Sequence, residues 1–194
     1  MAIEVELKAW VDDVPKTEAA LDEFTGYIYA YTKEDVYWRM DGKEVRVRQE
    51  CRVSNSGVET SRTLVTFKTK EVRDGIEVNE EHEFCVSAAE ASGAANSKTE
   101  FEEFLKRTGF VPVLSKIKRG KCRQTNAGGY NVLIELSFVE QLGYFLELEI
   151  MLETESAAAV EAARAALLNL LERAGIPASR IESRYYSEML KQPI

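Results

Sequence analysis

Along much of this chain, apolar residues alternate with charged ones. The opening Ile3-Glu4-Val5-Glu6-Leu7-Lys8 is the clearest stretch. Successive side chains of a strand point to opposite faces, so Glu4, Glu6 and Lys8 share one face and Ile3, Val5 and Leu7 the other. Taken alone, such a strand reads as the solvated face of an antiparallel sheet. The alternation returns at Val45-Arg46-Val47-Arg48 and at Val65-Thr66-Phe67-Lys68-Thr69-Lys70. It recurs at Glu81-His82-Glu83, at Lys116-Ile117-Lys118-Arg119, at Ile134-Glu135-Leu136-Ser137 and at Leu146-Glu147-Leu148-Glu149-Ile150. His82, the sole histidine, and Arg119 therefore face away from their charged neighbours.

Turn signals divide the pattern into elements. Asp41-Gly42 and Asp74-Gly75 predict hairpins, Gly128-Gly129 a turn, and Ser54-Asn55-Ser56-Gly57 a loop. The aromatic run Tyr27 to Met40 predicts two strands with a turn at Lys33-Glu34, and further strands are expected over 44–50, 63–70, 76–86 and 110–123. Pro15 opens a short helix that Gly26 ends. Residues 87–96 form a polar connection. A helix over 97–107 has Ser97 as its cap and Phe101, Phe104 and Leu105 as its apolar stripe. The strongest helix spans 153–174, with Val160, Leu167, Leu168 and Leu171 along one side and Gly175 as its stop, and a last short helix covers 180–190.

The solvated outer face of an ordinary sandwich would mix Thr, Ser, Gln and Asn freely. Here the strands repeat E-x-E, R-x-R and K-x-K. A sheet curled with its charged faces inward and its apolar faces outward under the helices accounts for both features. Each inward charge then needs a partner. Acids, divalent cations, a polyphosphate and bases form a set in which every charge has one.

The composition fits this picture. A chain of 194 residues, 45% hydrophobic and 30% charged, predicts one domain over 1–194 with a full-sized core. A net charge of −8 argues against general nucleic-acid binding while leaving room for a local basic patch facing a small anion. No transmembrane run and no signal-peptide pattern is found, so a cytoplasmic protein without a membrane partner is expected. Cys51, Cys85 and Cys122 lie far apart and are expected as reduced, half-buried thiols.

The opening Glu4-x-Glu6-x-Lys8 resembles the hallmark of the CYTH superfamily, the triphosphate tunnel metalloenzymes. The resemblance runs the length of the chain. Val45-Arg46-Val47-Arg48, Val65-Thr66-Phe67-Lys68, Glu81-x-Glu83 and Lys116-x-Lys118-Arg119 resemble its R-x-R, T-x-K, acidic and basic strands. Leu142-Gly143-Tyr144-Phe145-Leu146-Glu147-Leu148-Glu149 and the ending Ser183-Arg184-Tyr185-Tyr186-Ser187-Glu188-Met189-Leu190 look like its last two motifs. Two positions depart from the pattern: Ser137 stands where the family has Asp, and Asn79 where it has Arg.

The resemblance implies a β-dominated α+β fold, an eight-stranded antiparallel β-barrel tunnel with peripheral helices, that binds a triphosphate with Mg²⁺ or Mn²⁺. Carried over by position, Glu4, Glu6, Glu81, Glu83, Glu147 and Glu149 are the expected metal ligands. Lys8, Arg46, Arg48, Lys68, Lys70, Lys116 and Lys118 are expected to hold phosphates. Lys8, Glu6 and Glu135 are the expected catalytic groups, with Glu135 as a substitute for the missing Asp. The expected substrate is tripolyphosphate, thiamine triphosphate or ATP, handled by a monomer or homodimer. Hydrolysis at the terminal phosphate comes first. Cyclisation of ATP to cyclic AMP is the alternative, and non-catalytic binding of a polyphosphate or nucleotide the third reading.

Overall fold

The computed structural model describes residues 2–69, 71–90, 95–153 and 156–190. Nine strands are described: β1 (Ala2–Trp10), β2 (Gly26–Met40), β3 (Lys43–Ser54), β4 (Glu59–Thr69), β5 (Val72–Arg73), β6 (Ile76–Glu90), β7 (Val111–Ala127), β8 (Tyr130–Val139) and β9 (Gly143–Leu152). Every pairing is antiparallel. The order β1-β9-β8-β7-β2-β3-β4-β6 closes on itself because β1 also pairs with β6, and β5 is an extra strand beside β6. Closure leaves the eight barrel strands without a free edge.

Asp41-Gly42, Asp74-Gly75 and Gly128-Gly129 all hold positive φ at both residues, as tight hairpins between right-twisted strands require. The apolar faces of the strands point outward, and helices bury much of them, while Phe84, Val111 and Phe138 stay exposed. Helix α3 (Ala157–Arg173), capped by Ser156, lays Val160, Ala163, Leu167 and Leu170 on Val5, Leu7, Leu148 and Ile150, all buried. Leu105 of α2 (Ala95–Arg107) packs with Trp38, Val47 and Val65. Helix α1 (Val14–Asp22), capped by Asp13, buries Leu21 in the α3 cluster. Helix α4 (Tyr186–Met189) sets Tyr186 and Met189 against Val139 and Phe145.

Several boundaries differ from the sequence expectation. There is no turn at Lys33-Glu34; β2 runs unbroken because Tyr31, Lys33, Asp35 and Tyr37 form one more inward-facing alternation. Gly26 begins β2 rather than ending α1. Strand β6 continues to Glu90 inside the expected connection, and α2 starts at Ala95, ahead of Ser97. β7 extends to Ala127, and α3 starts at Ala157, not at Glu153. The last expected helix is split into a 3-10 turn, Ala178–Arg180, and α4. Between them the backbone pairs with β1 instead: Ile181 bridges Ala9, and the Glu182 N–H donates to the Lys8 carbonyl at 2.8 Å. Cys51 and Cys85 are exposed and Cys122 is buried, all as free thiols.

Candidate active site: a charged tunnel

Residues directly opposite one another in an antiparallel ladder share a face. The register therefore assembles the inward side chains into rows. On one wall Glu77, Glu6 and Glu149 form a row across β6, β1 and β9, and Lys8, Glu147 and Glu135 another across β1, β9 and β8. On the opposite wall run Lys116, Asp35 and Arg48 across β7, β2 and β3, and Lys118, Lys33, Glu50 and Arg62 across β7, β2, β3 and β4. Between the walls lies a cavity of about 1030 Å³.

The second wall sets acids among its bases. Burial opposes ionisation of Asp35, but Arg48 and Lys116 outweigh it and hold the carboxyl well below its ordinary value. Lys33 goes the other way: burial lowers it, and Arg48 and Lys118 add to that against the pull of Glu135. Lys118 overcomes its burial through Glu135 and Glu147 and stays firmly charged. The Lys118 ammonium donates to Glu135 at 2.7 Å and also to Glu147. Glu50 draws in Lys33, Arg52 and Arg62.

The first wall is crowded with acids. Lys8, 2% exposed, donates to Glu77 at 2.8 Å, and Lys68 bridges Glu4 and Glu81, the latter at 2.9 Å. Among the described residues, the Glu6 and Glu149 carboxylates have neither a hydrogen bond nor an ion pair. Burial, with Glu77, Glu4 and Glu147 adding to it, raises the Glu6 carboxyl well above its ordinary value. Burial and Glu4 push Glu149 up to about 8.

The CYTH domain model matches residues 2–186. The chain belongs to the CYTH domain family. Among solved structures, a Pyrococcus horikoshii OT3 protein is 24% identical, with a TM-score of 0.73 over 96% of this chain and 97% of that one. A Vibrio parahaemolyticus protein, described as a putative adenylate cyclase, is 18% identical, with a TM-score of 0.64 over 98% of each chain. A Hippeastrum protein is 14% identical, with a TM-score of 0.58 over 98% of this chain and 94% of that one. It is described as a putative adenylyl cyclase with a dominant triphosphatase activity. No curated protein matches the chain.

The CYTH tunnel gathers most of the residues expected from the sequence. Glu4, Glu6, Lys8, Arg46, Arg48, Lys68, Glu81, Glu83, Lys116, Lys118, Glu135, Glu147 and Glu149 all line the cavity. Lys70 lies outside the described residues. The bases do not sit apart from the acids, however. Arg46 reaches Thr66 at 2.9 Å, Glu83 at 3.3 Å and Glu81 at 3.6 Å, so Glu81 and Glu83 are partners of Arg46 and Lys68. Glu135, expected as a catalytic group in place of the missing Asp, accepts from Tyr31, Lys33 and Lys118. Burial raises it, but Lys118 and Lys33 prevail and hold it well below its ordinary value. It is a weak base and a strong anchor for those two lysines.

Two family positions where this chain departs are now explicable. Asn79, fully buried, donates to Glu4 and Glu77 at 3.2 Å each and accepts from Tyr185 at 3.3 Å, so it ties two acids to the tail before α4. Ser137 is 1% exposed, does not line the cavity and leaves its Oγ without a partner. It lies directly opposite Gly120, where a Cβ on the glycine would come within 2.8 Å of Ser137 Cα and Cβ.

Sequence reasoning missed Asp35, Lys33, Glu50, Glu77, Tyr31 and Tyr186. The alternation Tyr31-x-Lys33-x-Asp35-x-Tyr37 would have found three of them. Continuing the E-x-E face of β6 backwards through Asn79 would have found Glu77. Tyr186 had no such signal: its hydroxyl donates to Glu147 from α4, while Lys8 and Lys116 lie 4.8 and 4.5 Å from its ring centre.

Among the described residues, no three acidic, histidine or cysteine side chains already converge on one point as metal ligands. The donor set nevertheless fits a hard divalent cation. It is all carboxylate, and two members, Glu6 and Glu149, stand opposite each other without an ion pair, their ionisation disfavoured by burial and by the other acids around them. Glu4 and Glu147 flank them.

Proposed function

We propose that this protein binds a triphosphate together with Mg²⁺ or Mn²⁺ inside the tunnel and hydrolyses its terminal phosphoryl group. The observation that carries this reading is the unpaired Glu6–Glu149 pair facing a wall of paired cations. Divalent cations would let those carboxylates ionise and would carry positive charge to the phosphates. Arg46 and Arg48 offer their remaining guanidinium N–H groups to phosphate oxygens, and Lys116 and Lys118 offer point charges. Lys8 and Lys68 stand at the boundary, each already held by an acid.

Phosphoryl transfer asks mainly for positioning and charge neutralisation, and a charged tunnel supplies both. Water attack on the terminal phosphorus breaks its bond to the bridging oxygen and leaves a diphosphate. The Hippeastrum protein with this fold, described as having a dominant triphosphatase activity, supports placing hydrolysis first.

The test is direct. Purified protein with Mg²⁺ or Mn²⁺ is incubated separately with tripolyphosphate, thiamine triphosphate and ATP. Release of inorganic phosphate is the expected result. Cyclic AMP with pyrophosphate from ATP would establish a cyclase instead. Tight binding with no product would leave a triphosphate-binding module.

A further inference from the structure

The cation-rich wall contains an acid that anion binding alone would not call for. Asp35 lies within β2 with its side chain wholly out of solvent. The register sets Arg48 of β3 opposite it on one side and Lys116 of β7 opposite it on the other. Arg48 donates through Nε to Oδ1 at 2.7 Å and through Nη2 to Oδ2 at 2.9 Å. The Lys116 ammonium stands 3.1 Å from Oδ2. Arg48 and Lys116 line the cavity, and Asp35 does not.

Charge counting makes Asp35 a handicap, because a buried negative charge next to a phosphate repels it. Geometry gives it a use. A fork-to-carboxylate pairing fixes the plane of a guanidinium as well as its place. Lys116, tied to the same carboxylate, is fixed relative to Arg48. Two cations on separate strands thus become one rigid receiver. Two cations held ready in place lose less freedom when an anion arrives, and they are already aimed where charge develops.

We propose that Asp35 is a positioning residue of the tunnel, one that never touches the anion and acts by holding Arg48 and Lys116 in the orientation that receives it. This rests on the triphosphate reading above.

The two views of Asp35 predict opposite outcomes for Asp35→Asn. The amide keeps the size, loses the charge and can accept the Arg48 fork through one atom only. Charge counting predicts tighter tripolyphosphate binding. Positioning predicts binding weakened about 10-fold by calorimetry with Mg²⁺ and kcat lowered about 10²-fold. In an Arg48→Ala/Lys116→Ala background the Asp35→Asn penalty should vanish, since nothing is left to position.

Asp35→Glu keeps the charge but displaces it by one methylene, so it should also lose turnover. It decides the matter if the Asn variant has no cooperative melt. Wild-type protein that neither binds nor hydrolyses tripolyphosphate would remove the triphosphate reading and this inference together. Active wild type with undiminished Asp35→Asn binding and turnover, with a fully active Asp35→Glu, or with a penalty that survives in the double-variant background, would overturn the inference alone.

Discussion

Replacing Glu149 by Gln should stabilise the metal-free protein at alkaline pH. Glu149 faces Glu6 across the β1–β9 ladder and has no hydrogen bond or ion pair among the described residues. Burial and Glu4 raise its carboxyl from an ordinary 4.5 to about 8. A carboxyl raised in the folded state contributes stability that is complete below its unfolded value. That stability drains away as pH climbs through the folded value. The full shift would be worth about 5 kcal/mol at about 1.4 kcal/mol per unit, and because Glu149 is only half-buried, screening reduces this to about 2 kcal/mol.

Gln does not titrate and keeps the low-pH stability throughout. Near pH 9 the variant should therefore melt about 4–8 °C above wild type, taking about 2–4 °C per kcal/mol for a chain of this size. Near pH 4.5 the two should melt together. The assay is scanning calorimetry in chelator at both pH values, repeated with Mg²⁺. Wild type at high pH should gain more from Mg²⁺ than the variant does. A variant that melts at or below wild type near pH 9, or a gap that is the same at both pH values, refutes the claim that Glu6 and Glu149 are strained without a cation.

Three further outcomes follow from the same geometry. Arg48→Ala should cost about 10²–10³ in triphosphate turnover, whereas Arg119→Ala, whose Glu140 pair lies on the exposed side at 2.7 Å, should leave turnover unchanged and stability within about 0.5 kcal/mol; equal losses would show that facing is irrelevant. Tripolyphosphate at about 100 times its dissociation constant should stabilise the fold by about 2.7 kcal/mol, and a melting temperature that ignores it would count against an anion tunnel. Gly120→Ala should destabilise by about 3 kcal/mol or more in denaturant titration, because a Cβ there would sit 2.4 Å from the Leu136 carbonyl oxygen; a wild-type midpoint would show that the strands can part.

The inward set was largely legible because period-two alternation is a local property. Each of Glu4, Arg46, Lys68, Lys116 and Glu147 sits in a run whose neighbours alternate with it, and all of them reach the cavity. Strand β7 keeps the alternation across its basic pair: Lys116 and Lys118 stand opposite Asp35 and Lys33, and the register shifts against β2 lie to either side, at Tyr27/Tyr29 and Tyr37/Trp38.

Partnerships were less legible. Nothing local says that Asp35 will stand between Arg48 and Lys116, since that depends on the register of three strands. Lys33 and Asp35 were hidden for a second reason. A polar Thr-Lys-Glu-Asp run inside an aromatic segment looks like a turn when polar means solvent, and inside this barrel polar means core. The C-terminal segment failed likewise. A helix over 180–190 is locally reasonable, but Ile181 and Glu182 find backbone partners on β1.

The closure of the barrel has a consequence in time. Strand β1 has no neighbour adjacent in sequence; its partners are β6 and β9. A ribosome makes the Glu4–Glu6–Lys8 strand first and the last of its partners more than a hundred residues later. Until then, one edge of β1 stays unpaired. Contacts so distant in sequence slow folding and keep strand edges open to wrong partners. The charges of β1 have a second value here. During that interval Glu4, Glu6 and Lys8 lie on a strand edge that can pair with other chains, and charged side chains on such an edge discourage exactly that pairing. The charges that line the finished tunnel would also protect the chain while the tunnel is still open.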